Sequence, residues 1–294
     1  MTEALNYALN GILLGELYAL VAMGFVVIYR ASKVFNFAQG EMVLLGGLLV
    51  WTFTMGMGLP VWLGLACAIV ASLVTGFCIE RLFFSRLVGE SVFTMVMVTV
   101  GLVVLIRGAI LVVWGAQERQ FPALLPREPL IIGGLIFPSS LLAGGACALV
   151  AAVALSWFFN RSRAGLALSA VSEDHEVAQS LGISVRRSVT VAWMLGSLLS
   201  LLGAAIYLSG KTLTVNASEI GFSALPLALL AGLESIGGLL LAGALIGLVQ
   251  GLTAAYVDPR LGVHVSAVVP YIFMLFVLFV RPTGMFGWRR IERV

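Results

Sequence analysis

The chain has 294 residues, of which 61% are hydrophobic and only 11% are charged, and its formal net charge is +3. About a quarter of the residues in a soluble domain are charged, so this composition and a mean hydropathy of +1.08 exclude a soluble protein. No segment is left over for a separate soluble domain. We therefore interpret residues 1–294 as a single transmembrane domain, and we expect no nucleic-acid partner.

Apolar segments recur along the whole chain, and each is long enough to cross a hydrocarbon core about 30 Å thick as a helix. The alternating pattern of a membrane β-barrel is absent, so the backbone must be satisfied within helices. The predicted fold class is all-α and polytopic, with about eight to nine transmembrane segments. Eight apolar segments are predicted at about 4–29, 41–58, 61–84, 91–114, 138–159, 188–208, 235–257 and 265–280.

The first segment starts after Met-Thr-Glu without a basic region, so we predict a retained helix rather than a cleaved signal peptide. The polar stretch FNFAQGEM, residues 35–42, follows it and carries Asn36, Gln39 and Glu41. Two interpretations remain open. The stretch is either an ordinary polar loop between two helices, or an irregular segment that dips into the membrane, with these side chains facing a conduit and Gly40 allowing close backbone approach.

Two charged residues are predicted to lie within membrane segments, where a charge is costly and usually functional. Glu16 lies in the middle of the first segment, and Arg107 lies seven residues before Trp114 near the outer end of the fourth. The two side chains either pair across a conduit, or Arg107 extends along the helix to the outer interface. Both alternatives stay open at this point.

Two basic clusters define the predicted topology. One lies in the longest polar loop, about 160–187, and the other in the tail after residue 280, so the positive-inside rule places both in the cytoplasm. An even number of crossings must then separate them. The segment 221–233, which contains Pro226, has to be the additional crossing, although a helix of that length spans only about 20 Å. We predict a short broken helix, nine crossings in total and an outer N-terminus.

Several chemical functions are excluded. Gly210-Lys211-Thr212 resembles the end of a phosphate-binding loop, but Ala205 replaces the first required glycine and no strand precedes it. His175 and His264 fall on opposite sides of the predicted membrane, and the three cysteines lie within apolar segments. We therefore expect no catalytic residue, metal site or cofactor, and no enzyme.

The run GELYALVAMGFVVIYRASKVFNFAQGEMVLLGG, residues 15–47, resembles the beginning of permease subunits of the branched-chain amino acid ABC transporters. Three later runs are similar to the same family: AQSLGISVRR, GLESIGGLLLAGALIGL and the closing RPTGMFG. The resemblance covers nearly the whole chain. Four places depart from it. The family usually has His where Gln39 stands, Gly where Arg30 stands, a small residue where Glu16 stands, and two glycines where Ala231-Gly232 stand.

The resemblance implies a non-catalytic permease subunit of an ATP-driven importer in the bacterial inner membrane. It implies a second homologous permease as a heterodimer partner, two ATP-binding subunits and a solute-binding protein outside the membrane. The substrate would be a branched-chain amino acid or a similar small polar solute. A secondary transporter or channel that works without ATPase partners is the alternative, because such proteins also use broken helices.

Two cytoplasmic loops are candidates for contact with the ATPase. Glu176, Ala178 and Gly182 have the E-x-A-x₃-G spacing by which many ABC permeases engage that subunit, and a short helix ending at a glycine suits docking in a groove. A solvated linker is the alternative. Glu234 and Gly237 mark the second candidate, a tight connection after the short helix.

Overall fold

Helices form most of the chain in the computed structural model, which describes residues 2–87, 90–126, 128–173, 178 and 180–287. Within these residues the helices are α1 (Thr2–Ser32), α2 (Gln39–Trp51), α3 (Val61–Ile79), α4 (Val92–Val113), α5 (Ser139–Arg161), α6 (Arg163–Glu173), α7 (Val185–Leu208), α8 (Glu219–Ala231), α9 (Ile236–Tyr256), α10 (Asp258–Leu261) and α11 (Val269–Val280). The strands are β1 (Arg119–Gln120), β2 (Leu130–Ile132), β3 (Leu135–Phe137) and β4 (Thr212–Leu213). Single π-helical turns continue α2 over Thr52–Gly56 and α3 over Glu80–Phe84, and 3-10 turns lie at Val215–Ser218 and Val265–Ala267.

Six helices of the described residues are long and apolar enough to cross a membrane: α1, α3 with its π turn, α4, α5, α7 and α9. Three shorter apolar helices, α2, α8 and α11, pack with these six, and α6 and α10 are short helices within the connections. The predicted all-α, polytopic fold class is confirmed. The strands form only two small antiparallel pairs, β1 with β4 and β2 with β3, in the connections between helices.

The first helix lies at the centre of the bundle, and 78% of its most apolar window is buried. Its closest neighbour is α9, and the two helices meet along glycines at four-residue spacing. Gly11 and Gly15 of α1 face Gly243, Gly247 and Gly251 of α9 so closely that a Cβ atom on Gly15 would lie 1.9 Å from the carbonyl oxygen of Gly243. Small residues at this spacing let membrane helices approach to backbone contact.

Residues 221–231 of the predicted segment belong to one continuous short helix, α8, which includes Pro226 and is capped by Gly232 in the left-handed conformation. Its shortness, and not a break at Pro226, keeps it from covering the whole hydrocarbon core. Both ends are covered by protein. Gly221 packs on the backbone of Gly40 at the start, and Gly232 packs on the backbone of Gly287 at the end.

The ends of several helices meet at one end of the bundle. Arg30, near the end of α1, stacks over the ring of Phe159 at the end of α5, at 4.1 Å. Lys33 forms an ion pair with Glu234, which lies in the connection between α8 and α9. Both residues line the same cavity as the segment after α11. The beginning of α7 lines one surface groove with Arg81 of the π turn after α3. The described residues of the polar loop before α7 and those directly after α11 therefore lie at the same end, as the positive-inside interpretation predicts for these two segments.

Asp258 closes the turn at the opposite end, between α9 and α11. The Ser266 hydroxyl donates a hydrogen bond of 2.5 Å to one oxygen of the Asp258 carboxyl, and the Ser266 backbone N–H donates one of 3.0 Å to the other. The hydroxyl contact is the main reason that the pKa of this carboxyl lies below its usual range. The turn thus carries a carboxylate fixed by two donors.

Candidate functional site

The stretch after α1 returns into the bundle and does not stay at its end. The chain turns at Lys33, which adopts the left-handed conformation, and α2 begins at Gln39. The Gln39 amide lies against Gly24, eight residues before the end of α1, or about 12 Å deeper at a rise of 1.5 Å per residue. Residues 34–38 therefore dip toward the middle of the membrane, and α2 starts there.

A network of buried amides holds this dipping segment. The Asn36 side chain donates to Gln39 Oε1 at 3.1 Å and accepts from the backbone N–H of Ala38 at 3.0 Å. The Gln39 side chain donates to the hydroxyl of Ser200, in the middle of α7, at 2.9 Å. Asn36 and Gln39 are fully buried. Each buried amide is thus satisfied by the protein, as the low dielectric of a membrane interior requires.

A buried ion pair lies beside the network. Arg107 of α4 donates from Nε and Nη2 to the two carboxylate oxygens of Glu41, at 2.8 and 2.6 Å, and from Nη2 to the Ser218 hydroxyl at 2.6 Å. The Glu41 side chain is 3% exposed and that of Arg107 is 32% exposed. A two-pronged contact of this kind fixes both position and orientation. The arrangement joins α2, α4 and the start of α8 through one guanidinium.

The alternative pairing of Arg107 with Glu16 is wrong. Glu16 lies on the side of α1 that faces α5, where its Cβ is beside Gly145. One of its carboxylate oxygens is buried without a hydrogen-bond partner within the described part of the chain. Because α2 begins inside the protein, Glu41 lies at the depth of Arg107 and is the carboxylate within its reach.

The backbone comes closest at the meeting point of α2 and α8. A Cβ atom on Gly40 would lie 2.6 Å from the Ser218 carbonyl oxygen, and one on Gly221 would lie 2.3 Å from the Cα of Gly40. No larger residue fits at either position without moving a helix. The N-terminal ends of two short helices thus meet inside the bundle, next to the Glu41–Arg107 pair.

A cavity of about 590 Å³ opens at the end of the bundle that carries the basic residues. The ion pair between Lys33 Nζ and Glu234 Oε1, at 2.7 Å, lies in its wall and is partly exposed. Tyr29, Leu229 and Thr283 line other parts of it. The cavity lies between the end of α1, the end of α8 and the segment after α11, where movement of the α8–α9 connection would change its shape.

The candidate coupling residues are distributed over two loops. Glu176 lies outside the described residues, as does His175. Ala178 is buried, whereas Gly182 has open space where its side chain would be. In the second loop Glu234 is held by Lys33, and Gly237 is open.

Two residues of the central site were not identified from the sequence. Ser200 and Ser218 both donate or accept hydrogen bonds at the central site, but neither stands out within an apolar segment. Their long sequence separation from the dipping segment left no local signal. The glycine contact of α1 and α9 did have a signal, because G-x-x-x-G spacing occurs at residues 11–15 and at 243–251.

Comparison with known proteins gives consistent matches. Residues 7–278 match the family model described as branched-chain amino acid transport system / permease component. The chain is 28% identical to the high-affinity branched-chain amino acid transport system permease protein LivH of Escherichia coli K12, with all of both chains covered. It is also 28% identical to BraD of Pseudomonas aeruginosa, over 99% of this chain and 98% of that one.

A more distant relative is the probable branched-chain amino acid transport permease protein LivH of Methanocaldococcus jannaschii, 24% identical over 97% of this chain and 94% of that protein. Among solved structures, PsaBC from Streptococcus pneumoniae in complex with Fab is similar at a TM-score of 0.49 and 13% identity. That comparison covers 94% of this chain and 92% of the other.

Proposed function

The chain belongs to the family of branched-chain amino acid transport system permease components, whose model matches residues 7–278, and from that membership we propose its substrate, its partners and its transport path. It is a multi-pass protein of the cell inner membrane and the non-catalytic permease subunit of an ABC importer. ATP hydrolysis belongs to partner subunits.

We propose that the transported solutes are the branched-chain amino acids. The match over nearly the whole chain carries this proposal, since relatives aligned from end to end are named as branched-chain amino acid permeases. A single-domain permease with two ATP-binding subunits, a solute-binding protein and a second homologous permease would form the complete importer. We propose that the two permeases are different chains, as the resemblance of the sequence implies.

The path for the solute passes beside the central site. Asn36, Gln39, Glu41 and Arg107 are polar groups at mid-membrane depth, where each is costly unless it serves a structure or a path. Arg107 is the partly exposed member and reaches from buried Glu41 toward the surface of the chain. We propose that partly exposed Arg107 faces the conduit, and that buried Asn36, Gln39 and Glu41 support its wall from behind and hold its shape.

Coupling to ATP hydrolysis would act at the end of the bundle that carries the basic residues. We propose two contact regions for the ATPase: the loop that carries Glu176, Ala178 and Gly182, of which Ala178 and Gly182 are described and precede α7, and the connection with Glu234 and Gly237 between α8 and α9. The α8–α9 connection is the more direct of the two, because α8 runs from it to Ser218 within a single helix and one 3-10 turn.

Reconstitution tests this function. The chain is placed in liposomes with a second permease, two ATPases and the binding protein encoded with it, and uptake of labelled leucine is measured with ATP. We expect uptake that requires every subunit and is lost with a catalytically inactive ATPase. Uptake by this chain alone, driven by an ion gradient, would contradict the ABC assignment and favour a secondary transporter.

A further inference from the structure

A groove between the end of α3 and the beginning of α7 carries a concentration of basic side chains. Its volume is about 500 Å³, and it is lined by Arg81, Arg186 and Arg187, which are all exposed. One carboxylate, that of Glu80, belongs to the same wall, but this residue is 1% exposed. The ion pairs among the described residues join other side chains. This arginine groove therefore offers three guanidinium groups and a net positive charge to a ligand.

The two walls of the arginine groove are held together by direct contacts. The Thr190 hydroxyl of α7 donates a hydrogen bond of 2.8 Å to the Glu80 carboxylate. About one turn deeper, the two helices approach to backbone contact, since a Cβ atom on Gly76 would lie 2.8 Å from the Cα of Met194. The groove is thus already formed within the chain, and binding there requires little ordering of its walls.

The lining of the groove changes from basic to apolar with depth. On the α3 side, Arg81 lies in the π turn that ends the helix, and Phe77 lies four residues earlier, about 6 Å deeper. On the α7 side, Arg187 lies near the beginning of the helix, and Met194 lies two turns later, about 10 Å deeper. A ligand that fills the groove must therefore be anionic at one end and apolar at the other.

The exposed surface of α3 continues the apolar part of the groove into the membrane. Phe77, Val74 and Val70 follow one another at three- and four-residue spacing on one face of the helix, and their exposed fractions are 46%, 52% and 61%. Phe77 lies seven residues before the end of the span at Phe84, or about 10 Å inside it. A soluble partner such as the ATPase cannot reach this depth, so the occupant must come from the bilayer.

A phosphate group fits the basic part of the groove. Guanidinium groups bind phosphate oxygens through paired N–H donors. The beginning of α7, with Ser184 as its N-cap residue, adds the positive end of a helix dipole. Basic pockets between membrane helices on the cytoplasmic side are typical binding sites for anionic lipid head groups. The arginine groove combines the same charge with an apolar track beneath it.

We propose that the arginine groove binds an anionic phospholipid of the cytoplasmic leaflet, with its phosphate at the three arginines and an acyl chain along the exposed face of α3. The bound lipid ties the beginning of α7, and with it the polar loop that precedes this helix, to the end of α3. This inference goes beyond the proposed function and does not depend on which solute is transported.

Native mass spectrometry of the full-length permease in detergent tests the basic part of the groove, with cardiolipin as the probe. We expect Arg186→Gln/Arg187→Gln to weaken cardiolipin binding at least fivefold, and Arg81→Gln alone to weaken it about threefold. Arg161→Gln/Arg163→Gln is the matched control, because it removes the same charge from exposed positions at the same end of the bundle, and it should bind within twofold of the unmodified chain. Equal affinities, or equal losses, for the two double variants would overturn the proposal.

Competition separates a lipid head group from free phosphate. Phosphatidylglycerol should displace cardiolipin from the unmodified permease, whereas phosphatidylcholine, which has no net charge, should not. Inorganic phosphate at millimolar concentration should leave cardiolipin bound, because it has no acyl chain to contact α3. Displacement by inorganic phosphate, or equal competition by phosphatidylcholine and phosphatidylglycerol, would overturn the proposal.

Serine substitutions on α3 test the apolar part and separate a lipid from an acidic loop of the ATPase. We expect Val74→Ser/Phe77→Ser to weaken cardiolipin binding at least threefold, because the acyl chain loses apolar contact. Val104→Ser/Val112→Ser on α4, at positions 72% and 87% exposed, is the control and should bind normally. Unchanged affinity of the α3 variant would overturn the proposal. Loss of ATPase binding with unchanged lipid binding in the arginine variants would assign the groove to the ATPase instead.

Discussion

At the scale of single residues, the central site depends on one guanidinium that satisfies a buried carboxylate. Glu41 is buried and its carboxylate receives two hydrogen bonds from Arg107. A buried charge that loses its partner is strongly destabilising, whereas replacing both partners with neutral groups often costs little. The coupling energy of the ion pair can therefore be measured only by comparing each single substitution with the double substitution.

We expect Arg107→Gln alone to lower the stability of the permease by about 2 to 4 kcal/mol, less than a fully buried pair because Arg107 is one-third exposed. Adding Glu41→Gln should recover at least half of the loss. The measurement is a double-mutant cycle on thermal unfolding in detergent. Arg107→Gln combined with Glu16→Gln is the control, and the stability losses of these two substitutions should add. If the losses from Arg107→Gln and Glu41→Gln also add, the ion pair does not exist as described.

At the scale of helices, composition and hydropathy were enough to locate the apolar segments. The predicted segments 61–84 and 91–114 agree with α3 and α4 to within a few residues. The starting point of α2 was harder to predict, because FNFAQGEM is equally compatible with an exposed loop. Only the contacts with Gly24 and Ser200, both distant in sequence, place it inside the bundle. For the same reason the partner of Arg107 did not follow from its position in α4.

Substitution of a contact glycine tests the packing of α1 on α9. A methyl group on Gly15 would meet the Gly243 carbonyl oxygen at 1.9 Å, and both are backbone positions that move only with their helices. We expect Gly15→Ala to cost about 3 kcal/mol or more, at the upper end for overpacking. Gly101→Ala in α4 is the matched control, because no atom lies within 4 Å of the added methyl group. Equal thermal midpoints for the two variants would rule out this contact.

At the scale of the whole molecule, one end of the bundle joins the loops proposed to contact the ATPase to the segment that dips into the membrane. Lys33 lies at the turn into the dipping segment, and Glu234 lies in the connection between α8 and α9. A displacement of that connection would move the dipping segment through the ion pair, and it would move the start of α8 at the central site along the helix itself. The molecule thus has two physical links between its proposed coupling surface and its centre.

Charge reversal tests the first link. We expect Lys33→Glu and Glu234→Lys each to reduce ATP-driven uptake about tenfold, because like charges would then face each other at the cavity wall. The double reversal should restore a substantial part of the uptake. Arg260→Glu, at the opposite end of the bundle, serves as the control for a change in net charge. Failure of the double reversal to exceed either single variant would show that the ion pair does not transmit the movement.

The topology is tested by labelling from one side of the membrane. The basic clusters predict that cysteines replacing Arg186 and Arg290 react from the cytoplasm, and that a cysteine replacing Arg260 reacts from the outside. The measurement is labelling of right-side-out and inverted vesicles with an impermeant reagent. Arg186 and Arg290 positions that react from opposite sides would contradict the nine-crossing arrangement.

The dipping segment also sets an order of events during synthesis. Gln39 obtains its partner from Ser200, 161 residues later in the chain. At the usual rate of translation the ribosome needs roughly 10 to 30 seconds to make that length of polypeptide. Through this interval the side-chain N–H groups of Gln39 have no final partner in the hydrocarbon interior, where unsatisfied polar groups are costly. The nascent chain therefore inserts α2 into its final place only after α7 has emerged.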